Sequence, residues 1–406
     1  MLDPEYFANF TDDILALYEA YQTSLCNEIA RRIARMGGVT RFSVEQMEIL
    51  QEAGLVYQDA ISMIAEIVPE SREEVSRMFF DMGTRTLAYD DAVYIAAGLS
   101  PIPLSQSPQM LDLLMAGISK TNGDLFNLTM TTATTSQTSF INAVSLASMQ
   151  VETGAMSYQQ AITNAIKSIS GDGAWIQYPP KTEGGIGHRD RIDVAVRRAT
   201  LTGTAQTTAQ MQDMRMNEMN CQCVEVSAHV GARPTHAAWQ GGVYTRYGRI
   251  DGYEDLVDAT GYGSGDGLCG WNCSHKFYPF FIGISERKYS KESLEELNNK
   301  TVSYNGEEIE AYKATQMQRA LERKIRETKR QLSALDASIK DAPSDSIANS
   351  LKSEFTSLST SLKDQERKLN DFTAQTDLWK DTSRTQVDGF GRSVSQKARW
   401  AAQNAV

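Results

Sequence analysis

The sequence predicts a mainly helical protein with a small α+β module, on three observations. Apolar residues recur at three- and four-residue steps through the first 150 or so positions, the middle of the chain is dense in Gly, Trp and His, and a heptad seam runs through residues 307–372. A chain of 406 residues exceeds what one ordinary core organises, so two or three folding units are expected. The pattern divides it into a helical N-terminal domain at 1–170, a central mixed module at 171–290, a helical hairpin arm at 291–380 and a polar tail at 381–406.

The N-terminal stripe is carried by Tyr6, Phe7, Phe10, Ile14, Leu17, Tyr18, Tyr21, Leu25, Ile29 and Ile33, and Gly37-Gly38 is the expected stop. Ser43 with Gln46 reads as a capping box for the next helix. Pro69 is expected to break that helix, with Ser71 and Glu74 starting another. Ser100-Pro101-Ile102-Pro103 is a connector, and further helices are expected near 108–119, 136–152 and 157–169. Gly and Pro crowd residues 171–187, which favours a hairpin there, whereas 188–220 returns to a helical pattern whose Met211, Met214, Met216 and Met219 read as adaptable packing. Cys223–Ser227 alternates as a short strand. Met317, Leu321, Ile325, Thr328, Leu332, Leu335 and Ile339 form one seam and Ile347, Leu351, Phe355, Leu358, Leu362, Leu369 and Phe372 a second. The segment Asp341–Asp345 lies between them, so the two helices form an antiparallel hairpin. At 1.5 Å per residue each arm would reach roughly 35–45 Å, and the polar tail beyond Trp379 is expected to be loosely ordered.

Composition narrows the function. The formal net charge is −11, which excludes coating of nucleic acid by phosphate neutralisation. The N-terminus has neither the basic nor the apolar segment of a secretory signal, and no run approaches the ~18–20 apolar residues of a membrane span. Five cysteines in so large a chain argue against a disulfide framework and for a reducing compartment. These bounds point to a soluble protein made in a cytoplasm.

All four histidines (His188, His229, His236 and His275) and four of the five cysteines lie between residues 188 and 275. His229, His236, Cys273 and His275 have the donor types that hold zinc, but their spacing matches no zinc signature. Packed Cys and His is therefore the reading adopted, with neither metal nor cofactor assigned. A nuclease- or transferase-like enzyme built on His229, Arg233, His236 and Cys273 is the alternative from another class, with Asp266 or Glu225 as orienter. No sequence feature supports a particular reaction, so no catalytic residue is assigned. Gly261, Gly263 and Gly265 lie in a Gly-rich loop without the Gly-Lys-Ser/Thr ending of a phosphate loop, and read as tight turns. Arg189, Arg191, Arg197 and Arg198 form the best candidate for a local contact with nucleic acid or a partner carboxylate.

Three strings carry a resemblance. Residues 227–241 (SAHVGARPTHAAWQG), residues 259–285 (ATGYGSGDGLCGWNCSHKFYPFFIGIS) and residues 191–198 (RIDVAVRR) resemble the central motif of the phage minor capsid protein 2 family. The Asn272-Cys273-Ser274-His275 corner also looks like a motif of head-morphogenesis proteins in Mu-like phages, and Ser274 stands where relatives often carry a basic residue. The resemblance implies a structural protein of a tailed phage, incorporated at low copy near the portal inside the head and assisting assembly, DNA packaging or ejection. The partners it implies are the portal protein, the major capsid or scaffold protein, and the packaged DNA, with the chain present as an oligomer or in several copies. Within the motif, His229, Arg233, His236, Trp239, Gly261, Gly263, Gly265, Asp266, Trp271, Asn272, Cys273 and His275 are expected to act as structure. Trp239 and Trp271 would bury area, Arg233 would fork onto acceptors, and the glycines would let chains approach closely.

Overall fold

The computed structural model describes residues 10–36, 42–180, 182, 185, 187–250 and 252–404. Tyr6, Phe7, the Gly37-Gly38 stop and the side chains of the Ser43/Gln46 capping box lie outside the described set. The chain forms helices α1 (Asp12–Arg35), α2 (Phe42–Ala96), α3 (Pro108–Glu152) and α4 (Tyr158–Asp172), then strands β1 (Trp175–Tyr178) and β2 (His188–Arg191) and helix α5 (Ile192–Glu218). The middle adds β3 (Cys223–Val226), α6 (Pro234–Ala237), β4 (Val243–Thr245), β5 (Glu254–Asp255), α7 (Leu256–Thr260) and β6 (Phe277–Phe280). After it come α8 (Lys291–Asn298), β7 (Thr301–Tyr304), β8 (Glu307–Glu310), α9 (Ala311–Asp341), α10 (Asp345–Thr376) and α11 (Arg392–Gln403). The protein is therefore mainly α, with small sheets, as the periodicity predicts.

Two expected breaks are absent. Helix α2 runs through Pro69, because its buried positions stay in phase across the proline: Val56, Ala60 and Ile64 before it, Ser71, Val75, Met78 and Met82 after it. Pro69 itself faces outward, where water can satisfy the carbonyl that its missing N–H leaves free. Helix α3 likewise joins the two segments expected near 108–119 and 136–152, through a threonine-rich stretch of poor helix propensity. The hydroxyls turn back onto the helix, Thr131 onto Asn127 O at 2.9 Å and Thr138 onto Thr134 O at 3.1 Å, so they do not compete for another backbone conformation.

The chain divides into two compact units, each assembled from three separated segments. The first comprises Met1–Asp13, Ser71–Leu125 and Arg197–Gln316, the second Ile14–Glu70, Phe126–Val196 and Met317–Val406.

In the first unit, a four-stranded sheet of order β5-β4-β3-β6 packs with the helical segments of α2, α3 and α5 that belong to it. β3 pairs antiparallel with both β4 and β6, and β4 pairs parallel with β5. β3 was expected to alternate, yet all four of its residues are buried. Val224 and Val226 enter a core with Tyr94, Met216, Trp239, Leu268 and Phe277, while Cys223 packs with Val243 and Phe280 in a second cluster. Glu225 is satisfied by the Lys288 backbone N–H at 2.7 Å. The helices meet through small residues. A Cβ at Gly117 would overlap the Thr207 hydroxyl and lie 2.7 Å from its methyl and 3.0 Å from the Phe79 ring, and one at Gly203 would overlap the Thr121 hydroxyl. Gln212 ties helix to sheet, donating to Asp90 Oδ2 at 2.9 Å and to the Phe277 carbonyl at 2.8 Å.

In the second unit, β1 and β2 form the hairpin expected from the Gly/Pro-dense segment, starting the helix with His188–Arg191 still extended. The seam residues Ile347, Leu351, Phe355, Leu362, Leu369 and Phe372 are buried, and α10 packs against α4 and α11. The expected reaching arm is thus a packed helix pair, and the expected loose tail is a helix that buries Ala398 and Ala401. Arg330 is fully buried and donates to the Ser170 and Gly171 carbonyls, both at 3.4 Å. Nearby, Asp193 pairs with Arg326 at 3.3 Å and Arg191 at 3.5 Å; burial opposes its ionisation, but the three arginines together hold its carboxyl below the usual range.

Two predictions follow from this packing. Gly117→Ala gains about 1 kcal/mol of helix propensity but incurs about 1–3 kcal/mol of overpacking. It should lower the thermal midpoint, whereas Gly123→Ala, with open space around it, should raise it. The buried Asp90 carboxyl is pushed well above its ordinary value of 3.8 by desolvation, beside Asp91 and Arg215. The folded state therefore holds that proton more tightly, and its contribution to stability is full below the ordinary value and lost as pH rises through and above it. Melting curves of Asp90→Asn should show a gain over the wild type that widens as pH rises above the ordinary carboxyl value of 3.8; a constant offset would contradict a buried, titrating carboxyl.

Candidate functional site

The site lies in the first unit, where two loops meet beside the end of the β3–β6 pair. Pairing continues past the strands: the Ser227 N–H donates to Lys276 O at 2.8 Å, and the Lys276 N–H to Ser227 Oγ at 2.9 Å. That extension sets His275 beside the loop that follows β3. Pro234 opens the short turn α6, with Arg233 extended before it, and the turn presents His236 and Trp239 inward.

The second loop begins at α7, whose N-cap Asp255 accepts from the Val257 and Asp258 N–H groups at 2.8 and 3.2 Å, and which ends at Gly261 in the left-handed region. Residues 260–273 then bond among themselves. The N–H groups of Ser264, Leu268, Gly270, Trp271 and Cys273 donate to the carbonyls of Gly261, Thr260, Gly267, Gly265 and Gly270 respectively. Those donors are spent inside the loop, so they do not form a phosphate cradle. A Cβ at Gly267 would overlap the Gly261 carbonyl and one at Gly270 the Gly265 carbonyl, so glycine is required at both. Cys269 and Asn272 adopt φ of 60° and 53°, the left-handed conformation that reverses the chain toward Cys273.

These loops bring together His236, Cys273 and His275. His236 Nδ1 lies 3.4 Å from His275 Nδ1, and Cys273 Sγ lies 3.7 Å from each. The far nitrogens are anchored: His236 Nε2 meets the Asp266 carbonyl at 2.9 Å, and His275 Nε2 meets Gln240 Oε1 at 3.0 Å. Gln240 cannot be turned over, because its oxygen also accepts the His229 backbone N–H at 3.0 Å and its nitrogen donates to Asn298 Oδ1 at 2.6 Å. The His229 ring stacks on His275 at 4.4 Å, and Trp239 covers His236 and His275 at 4.5 and 4.8 Å. Among the described residues this is the one group of three His, Cys or acidic side chains able to converge on a cation.

Burial sets the electrostatics. It pushes His229 and His236 below the usual imidazole value and His275 down to about 2, with the neighbouring rings adding to the shift of His275. It pushes the Cys273 thiol up, the reverse of an activated nucleophile. The Asp266 carboxylate accepts from the Ser264 hydroxyl at 3.1 Å, and only its backbone carbonyl meets His236. Arg233 donates to the Trp271 carbonyl at 2.7 Å, linking the two loops.

The remaining candidates are dispersed. Trp271 is half exposed, and its ring would meet a Cβ at Gly265 at 2.8 Å, whereas the space around Gly263 is open. Arg189 and Arg191 belong to the second unit: Arg189 is exposed beside Asp172 at 3.5 Å, and Arg191 pairs inward with Asp193. Arg197 and Arg198 belong to the first, where Arg197 donates to the Thr11 hydroxyl at 2.8 Å. Gln240 was not singled out from the sequence. A lone carboxamide in Ala237-Ala238-Trp239-Gln240-Gly241, one helical turn after His236, was the available signal.

A corner of internally bonded side chains inside a helical frame, without an activated nucleophile, suits a structural protein, and comparison with known families puts the chain among the proteins of phage capsids. It belongs to the phage minor capsid protein 2 family, whose model matches residues 2–374. No curated protein matches it, and no solved structure does.

Gly267→Ala should cost about 3 kcal/mol or more, since the clash is with backbone. Gly263→Ala, at φ of 90° but in open space, should cost only about 1–2 kcal/mol. Paired thermal melts would show the contrast, and equal losses would contradict the loop geometry.

Proposed function

We propose that this chain is a low-copy structural component of a tailed-phage head, held near the portal on the inner side of the capsid, where it assists assembly, packaging or ejection of DNA. The observation that carries this reading is the family match across nearly the whole chain. Its partners are other virion proteins: the portal protein first, then the major capsid or scaffold protein. No helix among the described residues is long and apolar enough to cross a membrane. Exposed apolar side chains on the long helices, Ile95 and Met115 in the first unit and Leu146 and Met149 in the second, supply contact surface of the kind such partners use. The acidic balance keeps any DNA contact local, with exposed Arg189 the best placed of the four arginines. Enzymatic use of His229, Arg233, His236 and Cys273 has less support, because burial raises the thiol and Arg233 is engaged by a backbone carbonyl.

Quantitative mass spectrometry of purified heads should find this chain at far fewer copies than the coat protein. Ile95→Asp and Met149→Asp, both at exposed positions, should reduce its incorporation while leaving its melting temperature close to wild type. Absence of the chain from heads, or incorporation untouched by both substitutions, would contradict the assignment or the contact surface respectively.

A further inference from the structure

We infer that His236, Cys273 and His275 bind one zinc ion, which staples the turn after β3 to the loop before β6. The inference is independent of where in the head the protein resides.

Hydrogen bonding at the far side of each ring forces the case. A neutral imidazole carries one N–H. The Asp266 carbonyl can only accept, so His236 must place its hydrogen on Nε2. Gln240 Oε1 is held as an acceptor by the His229 backbone N–H, so His275 must do the same. Both Nδ1 atoms are then bare lone pairs, and they face each other across 3.4 Å. The Cys273 thiol has a single hydrogen and lies 3.7 Å from both, so it can serve one ring only. Three ligand atoms with one hydrogen among them are left pointing at a common centre.

A cation at that centre removes the conflict, and the distances select its geometry. A tetrahedral zinc ion, with Zn–N of about 2.05 Å and Zn–S of about 2.3 Å, spaces its ligands about 3.4 Å apart for N to N and about 3.6 Å for N to S. The site has 3.4 Å between the nitrogens and 3.7 Å from each nitrogen to the sulfur. Binding Zn²⁺ displaces the thiol proton to solvent and leaves two neutral imidazoles and one thiolate on the metal, with the fourth position open to water. The Asp266 carbonyl and the Gln240 carboxamide are the outer partners that metal-bound imidazoles characteristically have. The Asp266 carboxylate is engaged by the Ser264 hydroxyl, and the ion's part in the proposal is to cross-link the two loops. It links residues 37 and 39 positions apart in the chain.

The test uses the full-length chain, freed of metal with a chelator and titrated with zinc and, as a spectroscopic probe, with cobalt. Expected are one tightly held zinc per chain by elemental analysis, a higher Tm with zinc than without it, and a thiolate-to-cobalt charge-transfer band. Cys273→Ser should abolish that band, while Cys269→Ser should leave it in place. Gln240→Ala should weaken zinc binding by roughly 10–100-fold, the usual loss for an outer partner. The proposal is overturned if folded wild-type protein, checked by circular dichroism, takes up no zinc and shows no charge-transfer band, or if the band survives Cys273→Ser. Because the wild-type titration is decisive by itself, a variant that fails to fold does not protect the proposal.

Discussion

The Gln240 carboxamide is the constraint on which the motif's geometry depends. Its oxygen takes hydrogens from the His229 backbone and the His275 ring, and its nitrogen reaches Asn298 just before β7. With all three bonds made, the group has one orientation, and it transmits that orientation to the imidazole beside it. A buried carboxamide bonded in this way stabilises a single arrangement, because any rotation leaves at least one buried polar group without a partner, at about 1–3 kcal/mol each. The stacked His229, the covering Trp239 and the Arg233 link to the Trp271 carbonyl are packed around that fixed point.

How much of this the sequence discloses depends on the range of the forces involved. The heptad seams of α9 and α10 were legible because their buried faces repeat locally, and the β1–β2 hairpin because Gly and Pro crowd its turn. Pro69 and the threonines of α3 misled for the same reason in reverse. Local propensity argues for breaks there, while burial on both sides, and hydroxyls bonded to their own helix, keep the helices continuous. The enclosed β3 was read as half-exposed because a short alternating run does not reveal whether its second face is covered.

The site shows the same division. That His and Cys concentrate in the middle of the chain is visible by inspection, as is the family motif that contains them. Which of them converge is decided by the Ser227–Lys276 extension of the sheet and by left-handed turns at Cys269 and Asn272, and neither is encoded in residue spacing. Spacing matches no zinc signature here because the converging side chains come from two loops and number three rather than four. For a capsid component the arrangement has a physical rationale: the loops carry little regular structure, and cross-links through side chains hold them where a small sheet alone would not.

Histidine tautomers test this account most directly. Nitrogen-15 NMR of the full-length protein labelled at histidine should show His236 and His275 both carrying hydrogen on Nε2 and none on Nδ1, with the His275 signal altered by Gln240→Ala. An Nδ1–H form at either ring in the folded protein would contradict it.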